Sequence, residues 1–240
     1  MNEPVNYLQC DSRWGKIKYA VKGENVDICH SGCGPTSMAM VLATWVDKKI
    51  TPKETSEWAL KNGFKALRQG TYYSYFKAQA KVYGINAYQL NGVNLRKNPS
   101  NAVHSRVLNE LKKGNLVIAC MGKGLWTNSG HFVLLYDIDV DKDIVYVNDP
   151  ASTSLSRTQG SWKRLQREVK YYFVVEKPEG GIGVDKRGNQ EASSWAKEAR
   201  EWVMKEGISD GNSAKASITR EQVWTMLHRF YKLILKVIRQ

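Results

Sequence analysis

The 240-residue chain predicts an α+β fold in which helices come first, an antiparallel sheet follows, and a smaller helical domain lies behind. Three observations carry this. Helical spacing and helix-start signals dominate as far as Lys113. Short apolar runs bounded by turn residues then read as strands up to Val175. Beyond them the composition turns polar and glycine-rich before helical spacing resumes. The expected boundaries are residues 1–176 for the first domain, 177–190 for a linker and 191–240 for the second domain.

Each element has its own justification. Pro35 fits the first turn of a helix whose apolar run spans Met38 to Val46, since its missing N–H is not needed there. Thr51, Pro52 and Glu54 form a capping box that opens a helix to about Lys61, stopped by Gly63. A third helix begins within Gly70 to Phe76 and ends at Gly84. Leu90 to Asn101 reads as a loop, and Ala102 to Lys113 as a helix. Leu116 to Ala119 is a strand, with Cys120 assigned to the core. The strands Gly130 to Tyr136 and Ile144 to Val147 form a hairpin through the acidic turn around Asp141, Lys142 and Asp143. A short helix near Trp162 to Arg167 precedes a last strand, Tyr171 to Val175. Past the linker, Trp195, Ala199, Trp202 and Val203 share a helical face within Ser194 to Glu206. Thr219 and Gln222 cap another helix that runs through Leu227 and Phe230.

The chemistry concentrates at Ser31-Gly32-Cys33-Gly34-Pro35-Thr36-Ser37. Cys33 stands at or just before a helix N-terminus, where the macrodipole favours thiolate over thiol. Glycines on both sides allow a substrate carbonyl close approach to the sulfur. A lone cysteine is more often structural, so the reactive reading needs a base. His131 opens one strand of the hairpin and Asp149 closes the other, so an antiparallel pairing sets them side by side. Taken singly, each is ordinary: a polar residue at a strand end, and a turn residue before proline. Taken together, a thiol, an imidazole and an orienting carboxylate form a nucleophile–base–orienter set.

The set Gln9-x-Asp11-x-Arg13-Trp14, Ser31 to Ser37, Gly130-His131-Phe132-Val133 and Asn148-Asp149-Pro150 resembles the C39-like, papain-type cysteine peptidases over about residues 5 to 176. The resemblance implies a papain-like domain with Cys33 as nucleophile, His131 as general base and Asp149 as orienting residue. It also implies Gln9 as an oxyanion-hole donor beside the Cys33 backbone N–H, because an amide donates without titrating. Trp195 to Ala199, Gly207 to Gly211 and Ile218 to Glu221 resemble a single S-layer homology motif, a wall-anchoring repeat that usually occurs in threes. The C-terminal helices are expected to pack on the peptidase or on a second copy, giving a homo-oligomer.

Three aromatic residues are candidates for substrate contact. Tyr72 and Tyr73 can line a cleft, while Phe76 belongs in the core. Trp126, in the loop before His131, reads equally well as a cleft wall or as a hydrophobic anchor.

The net charge of +13 suits an anionic partner, whether nucleic acid, anionic lipid or a bacterial wall with its anionic polymers, and equally fits a basic protein with no such partner. Scattered basic residues and the lack of a recognition motif argue against nucleic acid. No apolar run is long enough to span a membrane. The start, Met1 to Asn6, shows no secretory signal, so synthesis in a bacterial cytoplasm and action at the wall after release are expected. Reduced thiols fit that origin, and a Cys10–Cys29 bridge is not expected. Cys29, His30 and Cys33 make a poor zinc signature. Asp137, Asp139, Asp141 and Asp143 lack the glycine and glutamate of a calcium loop. No metal or cofactor is therefore expected. The leading function is an endolysin-like peptidoglycan hydrolase, as in a phage. The alternatives are a leader-processing peptidase and a catalytically silent wall-binding protein.

Overall fold

Asp27 caps the short helix α1 (Ile28–Ser31), its side chain accepting from the His30 N–H. Gly32 then caps α2 (Cys33–Trp45), so Cys33 is the first residue of that helix. Gly32 is required by space: a Cβ there would lie 2.6 Å from the Ile28 carbonyl oxygen. The capping box at Thr51 and Glu54 forms as expected at the start of α3 (Pro52–Lys61). Helix α4 (Ser74–Val82) leaves Tyr72 and Tyr73 just ahead of its first turn. The computed structural model describes residues 3–90, 98–178, 197–206, 208 and 220–238.

The strand β1 (Ala87–Gln89) is followed by α5 (Asn101–Lys112), β2 (Leu116–Met121), β3 (His131–Asp139) and β4 (Ile144–Asn148). A short α6 (Leu155–Thr158), β5 (Gln159–Ser161), α7 (Trp162–Glu168) and β6 (Val169–Val175) complete the first unit. The sheet runs β1-β6-β2-β3-β4-β5 with every neighbouring pair antiparallel. This is the expected order of helices and strands. The sequence reading missed β1, α1, α6 and β5, which are three or four residues long, too short to show a period.

Strand side chains alternate between faces, and here both faces are covered. Val117, Ala119, Met121, Val133, Leu135, Tyr172 and Val174 join Val107, Leu111, Trp162 and Leu165 in one buried cluster. On the other side Phe132 and Phe173 meet Phe76 of α4, with ring centroids 4.9 and 4.8 Å apart. Strand β2 is accordingly buried along its whole length, the signature of a strand covered on both sides.

The chain divides into two compact units, residues 1–181 and 182–240. In the second, α8 (Lys197–Lys205) and α9 (Arg220–Ile238) are joined by an edge contact between Trp202 and Phe230. Helix α9 continues eight residues beyond Phe230, the last position read as helical from the sequence. Most of the linker, Trp195, the Ser209–Gly211 turn and the Thr219 cap lie outside the described residues. Among those described, no helix is long and apolar enough to cross a membrane.

Candidate active site

Hairpin register brings the acid to the base. In the β3–β4 pair Leu134 faces Asn148, so Asp149 emerges beside the start of β3, where His131 stands. His131 Nε2 lies 2.7 Å from Asp149 Oδ1. The Cys33 side chain hydrogen-bonds to the same imidazole. Cys33, His131 and Asp149 thus converge from α2, β3 and the end of β4. His131 is almost buried, Asp149 fully so, and Cys33 partly open.

Burial alone would raise the Cys33 pKa. The hydrogen bond from His131, its charge, and the N–H groups of Phe132 and Gly34 outweigh burial and lower it. For His131, burial pulls the pKa down, but the hydrogen bonds and charges of Asp149 and Cys33 push it up to about 9. The two shifts favour a thiolate–imidazolium pair.

Asp149 has further partners that the sequence did not disclose. Its Oδ1 accepts from the Ala151 N–H at 2.8 Å, and its Oδ2 from Arg157 Nε at 2.6 Å. Arg157 Nη2 continues to the Trp126 carbonyl at 2.7 Å, and Trp126 Nε1 donates back to the Arg157 carbonyl at 3.0 Å. Trp126 is only 2 % exposed. A Cβ at Gly160 would meet its ring at 2.9 Å. Trp126 is therefore not a cleft wall but the anchor that holds the loop before His131 and clamps Arg157 against Asp149.

Gln9 reaches the site through a fixed turn. Asp11 accepts from the Arg13 N–H, Nε and Nη2, and the Arg13 guanidinium stacks 4.3 Å over Trp14. Trp14 Nε1 in turn donates to the Leu8 carbonyl at 2.8 Å. The Gln9 N–H donates to the Pro150 carbonyl at 2.7 Å, next to Asp149. Its side-chain Nε2 donates to the Cys29 carbonyl, four residues before Cys33, which leaves its second N–H uncommitted.

A disulfide joins Cys10 to Cys29. This corrects the expectation of reduced thiols. The bridge ties the residue after Gln9 to the helix turn before Cys33. Cys120 is free and buried, and burial pushes its thiol up to about 12. Two aspartates of the β3–β4 turn are engaged by protein groups: Asp139 pairs with Lys142, and Asp143 accepts from Ser161 Oγ and the Lys163 N–H.

Beside Cys33 and His131 opens a cavity of about 420 Å³, lined among others by Arg68, Gln69, Tyr72, Tyr73, Cys120 and Phe132. Tyr72, 53 % exposed, stands at its rim. Tyr73 packs its ring 4.9 Å from Tyr171 while its hydroxyl receives the Cys120 thiol at 3.9 Å.

A thiol with a lowered pKa beside an imidazole with a raised one, on the wall of a cleft, is the equipment of a thiol hydrolase. The chain belongs to the Peptidase_C39 like family, whose model matches residues 15–172, and it is a C39-like cysteine peptidase. The match contains Cys33, His131 and Asp149 and begins after Gln9. Among solved structures, the peptidase domain of Streptococcus ComA, a bi-functional ABC transporter involved in a quorum-sensing pathway, is similar at 16% identity with a TM-score of 0.42. That likeness covers 61% of this chain and 92% of the other. No curated protein matches the chain.

Proposed function

We propose that the protein is a peptidoglycan hydrolase that cuts an amide bond in bacterial wall peptide by thiol catalysis. The observation that carries this reading is the hydrogen-bonded chain from Cys33 through His131 to Asp149 beside an open cavity. The Cys33 thiolate attacks the carbonyl carbon, forming a carbon–sulfur bond and an oxyanion. The Cys33 N–H at the start of α2 and the free N–H of Gln9 Nε2 receive that oxyanion. His131 gives its proton to the departing amine as the carbon–nitrogen bond breaks. Neutral His131 then takes a proton from water, which attacks the thioester and releases the acid and the thiol. Asp149, held by Arg157, keeps the ring aligned and stabilises its charged form.

Two features support the wall as substrate. One is the charge of +13, which favours adsorption to anionic polymers. The other is the C-terminal resemblance to an S-layer homology motif. The Cys10–Cys29 bridge supports action outside the reducing cytoplasm, consistent with an endolysin-like enzyme released from the cell that makes it. Oligomerisation through the C-terminal helices would multiply the single wall motif.

A zymogram on purified bacterial walls tests the proposal. Clearing by the intact chain and none by Cys33→Ala is the expected result. Clearing by both, or by neither, overturns it, and cleavage of a double-glycine leader alone would assign the enzyme to peptide processing.

A further inference from the structure

One bank of the cleft is a closed turn with an unusual core. The Tyr72 N–H donates to the Phe64 carbonyl at 2.9 Å and the Ala66 N–H to Gly70 at 3.0 Å, with a bridge between Lys65 and Thr71. Within this turn the buried Lys65 ammonium donates to the Ala66 and Gln69 carbonyls at 2.7 and 2.6 Å. Its charge is met by Glu24, also buried, at 2.7 Å. Glu24 further accepts from the Val21 N–H and, through Oε2, from the Arg68 N–H at 2.7 Å. The Glu24 carboxylate is thus occupied by one cation and two backbone donors.

Arg68 is left over in this arrangement. Its backbone sits in the left-handed region at φ 54°, uncommon for a residue with a side chain, and the Glu24 bond holds it there. Arg68 lines the cavity that contains Cys33 and His131 and is exposed to solvent. Among the described residues no carboxylate pairs with its guanidinium, and no acidic residue lines that cavity. An exposed arginine on the wall of a cleft that the exposed Tyr72 also lines is matched by a planar anion that a guanidinium can grip through two parallel hydrogen bonds.

We propose that Arg68 is a specificity-determining residue that receives a substrate carboxylate close to the scissile amide. The enzyme's substrate class is therefore peptides carrying an acidic side chain or a free main-chain carboxylate near the bond that is cut. The inference rests on Cys33 being the reactive thiol of the proposed hydrolase. Lys65 and Glu24 act through Arg68, by fixing the turn that presents it.

Thiol-directed reagents test this without a known substrate. Iodoacetyl-Glu-Ala-amide is compared with iodoacetyl-Gln-Ala-amide for a side-chain carboxylate. Iodoacetyl-Ala-Ala is compared with its C-terminal amide for a terminal one. In each case Cys33 displaces iodide to form a thioether, read by mass spectrometry of the intact protein. At least one carboxylate reagent should label the wild type five-fold or more faster than its neutral partner, and the pair that does so identifies the source. Arg68→Gln should bring that ratio close to one, Arg68→Glu should invert it, and Arg68→Lys should retain part of it. Equal ratios in wild type and Arg68→Gln overturn the assignment of Arg68 alone. No labelling of Cys33 by any reagent overturns the reactive-thiol reading and this inference with it. Matching far-ultraviolet circular dichroism shows that the variants fold, and failure of all three to fold would make Arg68 structural and overturn its specificity role.

Discussion

His131 stands between Asp149, whose Oδ1 lies 2.7 Å from its Nε2, and the Cys33 side chain, so one imidazole joins a fully buried acid to a partly open thiol. Asp149 in turn is shared with Arg157, whose Nε stands 2.6 Å from its other oxygen. A cation on the far side of the carboxylate draws on charge that would otherwise act on the ring.

This sharing sets the expected pH dependence. The thiolate–imidazolium pair forms on the acid side as Cys33, with its lowered pKa, loses a proton, and is lost as His131 deprotonates near pH 9. Hydrolysis should therefore fall above about pH 9. The stabilisation linked to the raised His131 pKa is full below about 6.5 and is lost as pH climbs through the folded value near 9. Arg157→Met gives His131 undivided access to the Asp149 charge, so the alkaline limb should move up by on the order of one unit. A rate profile from pH 5 to 11 checks this. An unmoved limb would mean that Arg157 holds the loop without tuning the base.

Gln9 donates one amide N–H to the Cys29 carbonyl, and in the proposed mechanism its second N–H donates to the oxyanion. Gln9→Ala should lower kcat by roughly 100- to 1,000-fold with little change in KM, the size expected for one oxyanion donor. Gln9→Glu should do the same, because a carboxylate cannot donate. If Gln9 only tethers the N-terminal turn, Gln9→Ala will lower thermal stability and leave kcat within a few-fold of wild type.

Trp126 gives a contrasting expectation. Its ring is buried and its indole N–H is bonded to Arg157, so Trp126→Ala should cost about 3–5 kcal/mol in a denaturant titration. A substrate-binding wall would instead show raised KM at unchanged stability.

The contrast between these residues shows what the sequence can reveal. Cys33, His131 and Asp149 were legible because each sits at an element boundary, where glycine, proline and strand alternation leave marks. The approach of His131 to Asp149 followed from hairpin pairing, whereas that of Cys33 was implied only by the resemblance. Trp126 was ambiguous because a loop tryptophan can turn inward or outward with the same neighbours in sequence, and only the space at Gly160 and the partner Arg157 decide it. Arg157, and the Glu24–Lys65 pair that shapes the Arg68 turn, gave no local signal, since the contacts that matter, Arg157 to Asp149 and Glu24 to Lys65 and Arg68, span 8 to 44 residues. The Cys10–Cys29 bridge failed for a related reason. A separation of 19 residues says nothing of spatial approach, and the expected cytoplasmic origin pointed the other way.

The most direct test of the central claim is the ultraviolet absorbance of the Cys33 thiolate as a function of pH, taken as the difference from Cys33→Ser. Cys120 stays silent near neutrality, because burial pushes its thiol up to about 12. In the wild type the thiolate signal should persist well below the ordinary thiol midpoint of about 8.5, and His131→Ala should return it to that value or above. Equal midpoints in the two proteins would contradict the pairing of Cys33 with His131.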